Sequence, residues 1–389
     1  MAKTALVLGG GFGGLEAAIQ LRRRGFQVTL VSNRPYLFVY PTSIWIATGE
    51  RTFDDVCLDL GQAARRHGFR LVVGAIESID GRGRGAVVNG ERLGADHLVL
   101  ALGGDKLKPK GAEHTHTICG APEATPRLKE ALDALIAKGS GRIAMGFGGN
   151  PKDPSAVRGG PAFELMFNVE ARLRRLGLRD RVELTFVAPM ASPGARMGPR
   201  AVDAIQAMFG KLGVGMRFGK KITAFEPGAV VFEDASRLEA DVVMFIAAGD
   251  GHAVVKASDL PRNEAGFVTI DAGCGVPGFP GVWAVGDVAA LEGPEWRAKQ
   301  GHLAEAMART AAENAAAVEA GAAPKASYAA HLGILCLMDM GNGAAWVQRD
   351  DEKARLIPLP WVGHWLKKGW GVYYRATKLG LLSRMGRAA

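Results

Sequence analysis

Cysteine is scarce in this 389-residue chain: Cys57, Cys119, Cys274 and Cys336 are its four, and no two are spaced as a C-x-x-C or zinc-type pair. No metal site is expected. Without a secretion signal, each defaults to a reduced, buried, small apolar residue, the reading favoured for Cys57 and Cys274. Long apolar runs are missing too, which excludes a bilayer-crossing helix. The first strand begins almost at the first residue and leaves no room for a signal or transit peptide, so a cytoplasmic origin is expected. Aromatic residues amount to 7% and stay sparse until Trp361, Trp365, Trp370, Tyr373 and Tyr374 crowd together. Acids vanish in the same place. From Lys353 to Ala389 there are eight basic residues, Arg384 and Arg387 among them, and no Asp or Glu, so eight of the net +9 charges sit in the tail. The body is nearly neutral, which excludes the broad basic face of a nucleic-acid binder. A basic aromatic tail points instead to an anionic membrane surface.

Glycine, in contrast, is abundant at 53 residues, and with Ala-rich helices it suits close-packed α/β layers. The length argues for two or three domains. The chain opens with an apolar strand running into Gly9-x-Gly11-x-x-Gly14 and then a helix, where bare backbone N–H groups can hold a pyrophosphate. Far downstream, Val282-Trp-Ala-Val ends in Gly286-Asp287, a strand end whose carboxylate can bond a polyol. A third apolar strand, from Asp96, ends at Gly103. Singly, these motifs are equally packing glycines and a helix cap; three strand ends together fit one FAD. Ser32, Asn33 and Arg34 stand where such folds usually place an acid for the ribose hydroxyls. The loop Pro35 to Thr48, with Thr42, is expected near the cofactor's ring end.

A second α/β unit begins at Arg142 and runs to about Met244 as an inserted copy of the first. Its glycine pattern is interrupted between Gly149 and Gly160, and its next strand ends in Ala188-Pro189 without an acid. NAD is therefore disfavoured, although Arg196 and Arg200 leave an opening for a 2′-phosphorylated nucleotide. A helix is expected from about Lys299 to Val318, with Lys299 either aimed at a flavin or solvated. In residues 361–382, Trp361, Trp365, Leu366, Val372, Tyr373, Leu379 and Leu381 fall on one helical arc, while Lys367, Lys368, Arg375 and Lys378 fall opposite. That is an interfacial-helix pattern, with a core-packed terminal helix or a dimer contact as the competing readings. Gly363, Gly369 and Gly371 make two short helices as plausible as one. The membrane reading is preferred because no acid pairs the basic residues.

With the glycine loop, Gly286-Asp287, Cys119 and Cys336 in view, the chain resembles the sulfide:quinone oxidoreductase and flavocytochrome c sulfide dehydrogenase family over nearly its whole length. Thr117-Ile-Cys119-Gly-Ala is similar to the family's first cysteine segment, and Leu335-Cys336-Leu-Met-Asp339 to its last redox cysteine with the downstream Asp. Gly160-Pro-Ala-Phe-Glu164 resembles the segment bearing an acid near the flavin, and Lys299-x-Gly301 the lysine turn facing the ring. Trp361-x-x-His364-Trp-x-Lys367 with Tyr373-Tyr374 resembles the membrane-seated end that lines the quinone pocket. The family's middle cysteine falls at Arg158.

The resemblance implies two Rossmann-like domains. FAD would occupy residues 1–110 and 245–325, the second domain residues 111–244, and a membrane and quinone region residues 326–389. It implies catalytic roles for Cys336, Cys119, Glu164 and Lys299, and substrate contacts at Arg158, Leu335, Trp361 and Trp365. The implied activity takes electrons from sulfide or a related reduced sulfur compound to a quinone, on the membrane surface, with a homo-oligomer left open. Without the middle cysteine, either Cys119 and Cys336 form the pair, or Cys336 works alone, or the donor is not sulfide; Arg158 would hold an anionic substrate or lower a thiol pKa. The alternatives are a type II NADH:quinone oxidoreductase, which needs an intact second glycine loop, and a flavin-bearing partner subunit.

Overall fold

Continuous apolar runs mark strands covered on both faces, and the opening strand Thr4–Leu8 lies at the centre of such a sheet. In the computed structural model, which describes residues 2–381, five parallel strands take the order Val282–Ala284, His97–Leu100, Thr4–Leu8, Gln27–Ser32, Arg70–Val73. The Phe12–Arg23 and Gly301–Glu319 helices pack against each other and share this sheet's core through Leu15, Ala18, Met307 and Ala311. A second parallel sheet follows the order Gly215–Phe218, Val182–Ala188, Gly141–Phe147, Val242–Ile246. Each unit also carries a three-stranded antiparallel meander, Ile76–Asp80 to Glu91–Gly94 in the first and Ile222–Glu226 to Arg237–Glu239 in the second. The duplicated Rossmann-like plan is thus as the sequence implied. Asp105–Lys106 pairs antiparallel with Gly249–Asp250, so the chain leaves the first unit and returns to it along neighbouring paths.

After the Gly301–Glu319 helix comes an antiparallel sheet of Ile334–Asp339, Gly343–Arg349 and Ala354–Pro360, which buries Ile334, Met338 and Val347 against the second unit's core. The tail then forms one unbroken helix, Val362–Lys378, rather than two. Two of its glycines let it lie close to the body. A Cβ on Gly363 would sit 2.5 Å from Ala344 Cβ, and one on Gly371 would sit 3.1 Å from Thr42 Cγ2.

The orientation of this helix corrects the expectation of unpaired basic residues. Lys367 bonds Glu164 at 2.5 Å, Lys368 bonds Glu50 at 2.7 Å, Lys378 lies between Glu16 and Glu305, and Arg375 donates to the Asp54 and Asp55 carbonyls. The acids arrive from elements far away in sequence. Most of the apolar arc consequently looks outward, with Trp361, Trp365 and Tyr373 at 78%, 69% and 60% exposure and Leu366, Val372 and Leu381 also exposed. Leu379, expected on the same arc, instead lies past the helix end and packs against the first unit's core. Arg384 and Arg387, also counted in the basic tail, lie outside the described residues. Among the described residues no helix is long and apolar enough to cross a membrane.

Candidate functional site

A turn between the Thr4–Leu8 strand and the Phe12–Arg23 helix builds the candidate phosphate end of the site. Gly9 has φ 112°, and a Cβ there would run into the Ala101 carbonyl; one on Gly14 would run into the Gly9 carbonyl. Both glycines are needed for strand and helix to close. Gly11 differs. Among the described residues nothing lies within 4 Å of where its Cβ would stand, and as the helix cap it offers no side-chain acceptor to the first-turn N–H groups. An anion approaching there meets bare backbone at the positive end of a helix. Gly103, at φ 72°, has the same open surroundings.

The neighbouring strand end carries the ribose-side candidates, tied in by Gly9 N–H donating to Val31 O at 2.8 Å. Ser32 is buried with its hydroxyl accepting from Arg34 N–H at 3.3 Å, Asn33 is exposed, and Arg34 pairs with Glu123 at 3.4 Å. Thr42 is buried, donates to Val39 O at 2.8 Å and turns its methyl toward the tail helix. The cradle fits a dinucleotide held by backbone at its phosphates, with no acid at the first ribose.

Gly286, at φ 72°, brings Asp287 to the end of the Val282–Ala284 strand, where its carboxylate forms an ion pair with Arg158. Lys299 Nζ donates to the Asp287 carbonyl at 3.0 Å and to the Ala289 carbonyl, and lies 3.7 Å from the centre of the Phe267 ring. It is 6% exposed, which overturns the solvated alternative, and burial pushes its amine down to about 7. The helix starts at Gly301, capped by Gln300, so Lys299 precedes it. Sequence reasoning passed over Lys106, which feels the Arg158 charge and is pushed down to about 8, mainly by burial. A charged dipeptide in a two-residue strand gives no pattern to find it by.

Cys336 is half-buried in the Ile334–Asp339 strand. Burial pushes its thiol up to about 12, with Glu164 adding to the effect and Lys367 opposing it, so near neutrality it is a thiol rather than a thiolate. Arg158 is engaged at Asp287, and the charges acting on Cys336 are Glu164 and Lys367. Cys119 is buried in the second unit's core. All four cysteines are free, and among the described residues no Cys119–Cys336 bridge forms. Cys274 is buried as expected, while Cys57 is half-buried.

Glu164, from the Gly160–Arg175 helix, accepts from Lys367 Nζ at 2.5 Å and from Asp339 N–H at 3.0 Å. Burial raises its carboxyl and Lys367 offsets this only in part. Asp339 is fully buried, which by itself would raise it, but hydrogen bonds from His364 Nδ1 and Gly341 N–H, both 2.7 Å, hold it below the ordinary carboxylate range. His364 Nε2 lies 3.7 Å from Glu50, a residue that no motif in the sequence marks. A pocket of about 360 Å³ opens there, lined by Glu50, Arg175, Trp361, His364, Trp365 and Lys368. The structure therefore brings together Trp361 and Trp365. It leaves Leu335 outside that lining, exposed and with its N–H on Gln300 Oε1 at 3.3 Å, and Arg158 at the Asp287 end.

In the second unit, residues 148–159 replace the tight glycine turn between the Gly141–Phe147 strand and the Gly160–Arg175 helix. Asn150 Nδ2 donates to Gly249 O at 2.9 Å, Asn263 Nδ2 donates to Asp153 Oδ2 at 3.1 Å, and Lys299 N–H donates to Ser155 O at 3.2 Å. The loop is sewn to the returning first-unit chain. Arg196 is half-buried and directed at Val157 O at 3.5 Å, with burial pushing it down to about 10.

Comparison with known proteins agrees with this architecture. The chain is 28% identical over 372 residues to the sulfide-quinone reductase of Aquifex aeolicus, covering 90% of this chain and 84% of that protein. It is 26% identical over 324 residues to the type II NADH:quinone oxidoreductase of Mycobacterium tuberculosis, covering 74% of this chain and 67% of the other. Among solved structures, the Aquifex aeolicus sulfide:quinone oxidoreductase superposes with a TM-score of 0.84 at 23% identity, over 100% of this chain and 96% of its own. Residues 3–315 match the family model described as pyridine nucleotide-disulphide oxidoreductase. The chain belongs to the pyridine nucleotide-disulphide oxidoreductase family.

Proposed function

We propose that the protein is an FAD enzyme, seated peripherally on a membrane, that passes electrons from sulfide or a related reduced sulfur compound to a quinone. FAD supplies the two-electron exchange between donor and acceptor. The observation that carries the reading is the joining of Cys336's strand to an aromatic tail helix through Glu164, Lys367, Asp339 and His364. A sulfur-handling side chain and an apolar outer surface share one buried polar cluster. The sulfide-quinone reductase relative, matched over 90% of the chain, supports the same assignment.

The chain's own residues have distinct tasks in this reading. Gly11 and the helix behind it take the pyrophosphate, and Asp287 takes the polyol once Arg158 yields. Cys336 is the donor-side sulfur and acts without a disulfide partner. Arg158, where the family's middle cysteine falls, recruits an anionic sulfur donor. Trp361, held at φ 57° where bulky residues are rarely found, turns its ring outward with Trp365 and Tyr373 toward lipid. A second copy covering that face is the competing occupant, and it would appear as a dimer in solution.

Anaerobic mixing of the purified holoenzyme with sulfide should bleach the flavin absorbance. Cys336→Ser should keep its FAD and lose sulfide-driven bleaching by at least about a hundredfold. A Cys336→Ser variant that turns over like the parent would remove the thiol from the reaction.

A further inference from the structure

Reducing a quinone to a quinol consumes two electrons and two protons, and whatever proton the cofactor does not deliver has to cross from water into a buried site. Glu164 and Asp339 lie inside the protein, 4% and 0% exposed, with Lys367 bonded to the first and close enough to lower the second. The only imidazole in contact with this cluster among the described residues is His364. It holds Asp339 on Nδ1 at 2.7 Å and faces Glu50 with Nε2 at 3.7 Å, and both His364 and Glu50 line the pocket that opens to solvent. We propose that His364 is a proton-relay residue linking the pocket at Glu50 to the buried Asp339–Lys367–Glu164 cluster during quinone reduction. The proposal rests on the quinone-reductase reading above.

The residue type is what distinguishes a relay from a clamp. Glu50 already has Lys368 at 2.7 Å and Arg175 at 3.5 Å, and Asp339 already has the Gly341 N–H, so neither carboxylate depends on an imidazole alone for compensation. Histidine can accept at one ring nitrogen while releasing at the other, which lysine and arginine cannot. A proton taken at Nε2 from pocket water by way of Glu50, with one released from Nδ1 to Asp339, carries one net proton inward. One passage completes the quinol, because a reduced cofactor that gives up two electrons with one hydrogen would leave a single proton to be supplied from water. The imidazole then returns to its starting tautomer by exchanging its ring proton. The Trp45 and Trp365 rings, centred 6.1 and 5.8 Å from the imidazole, wall the path. The charged groups facing His364 are Asp339 from the strand, Glu50 and Arg175 across the pocket, and Lys367 and Lys368 on its own helix.

The test uses holoenzyme reduced with dithionite, so that the sulfur donor plays no part, and follows reoxidation by a soluble quinone across pH. His364→Gln should bind FAD normally, reoxidise on the order of a hundredfold more slowly, and recover in part when imidazole is added. Should His364→Gln lose FAD, Glu50→Gln, which leaves the His364–Asp339 bond in place, should show the same slowing. A His364→Gln protein that matches the parent at every pH, or a loss that imidazole does not relieve, overturns the relay and leaves the quinone reading standing. A reduced parent that quinone does not reoxidise overturns both.

Discussion

Gly11 and Gly14 sit three residues apart, one capping the first helix and the other inside its first turn, yet a side chain added at each meets opposite surroundings. Gly14 is packed on the Gly9 carbonyl and Gly11 borders open space. Gly14→Ala should therefore damage the fold itself, by about 1–3 kcal/mol or more because the obstacle is backbone. Gly11→Val should fold with an unchanged melting curve in its FAD-free form but purify colourless, because the branched side chain occupies the approach to the helix N-terminus. The ratio of flavin to protein absorbance separates the two outcomes, and a yellow Gly11→Val protein would place the pyrophosphate elsewhere. This turn was legible in the sequence because the glycine spacing that shapes it is local, even though Gly9 also packs on Ala101 and donates to Val31 O. Lys299 was legible only as a position. Its burial over Phe267 and its bonds to the Asp287 and Ala289 carbonyls depend on a strand end that reaches it through folding, and no local spacing encodes them.

At the scale of one element, the tail helix separates what periodicity can and cannot decide. The 100° arc grouped Trp361, Trp365, Leu366, Val372, Tyr373 and Leu381 on one side and the lysines on the other, misplacing only Leu379, which packs on the core. Which side faces water, however, depends on carboxylates supplied by Glu16, Glu50, Glu164 and Glu305. Those acids lie in four separate stretches of sequence, so the pairing was invisible. The inverted orientation changes how membrane seating should be tested. Deleting the helix would strip buried carboxylates of their counter-ions, a loss of about 3–5 kcal/mol for each broken buried pair, and would confuse unfolding with release. Replacing Trp361, Trp365 and Tyr373 with Ser leaves the charged face docked. That triple variant should stay folded and yellow but leave vesicles for the soluble fraction. Because the cations face inward, the parent should stay bound in 1 M salt, where an electrostatic anchor would let go. Release of the parent by salt alone would return the basic residues to the membrane, and a dimer that the triple variant abolishes would give the face to a second copy.

Across the whole molecule, both units repeat strand, glycine and helix, which is why two Rossmann-like domains could be read from sequence, but only the first keeps an open turn. In the second, residues 148–159 are bonded to Gly249, Asn263 and Lys299, so the loop that would cradle a nicotinamide dinucleotide instead braces one unit against the other. The Val182–Ala188 strand ends without a carboxylate for an adenine ribose, and Arg196, a candidate for a 2′-phosphate, is directed inward at Val157 O. Closing the turn and losing the acid act on different parts of the same ligand, so restoring one would leave the other missing. Under anaerobic conditions neither NADH nor NADPH should bleach the flavin at millimolar concentration on a timescale of seconds, while sulfide should. Asn150→Ala, which frees one end of the loop, should loosen the contact between units without creating a nucleotide site. Calorimetry should accordingly find no millimolar-range binding of either nucleotide to parent or variant. Rapid bleaching by NADPH would make the second unit a working nucleotide domain, with Arg196 or the exposed Arg200 as its phosphate contact.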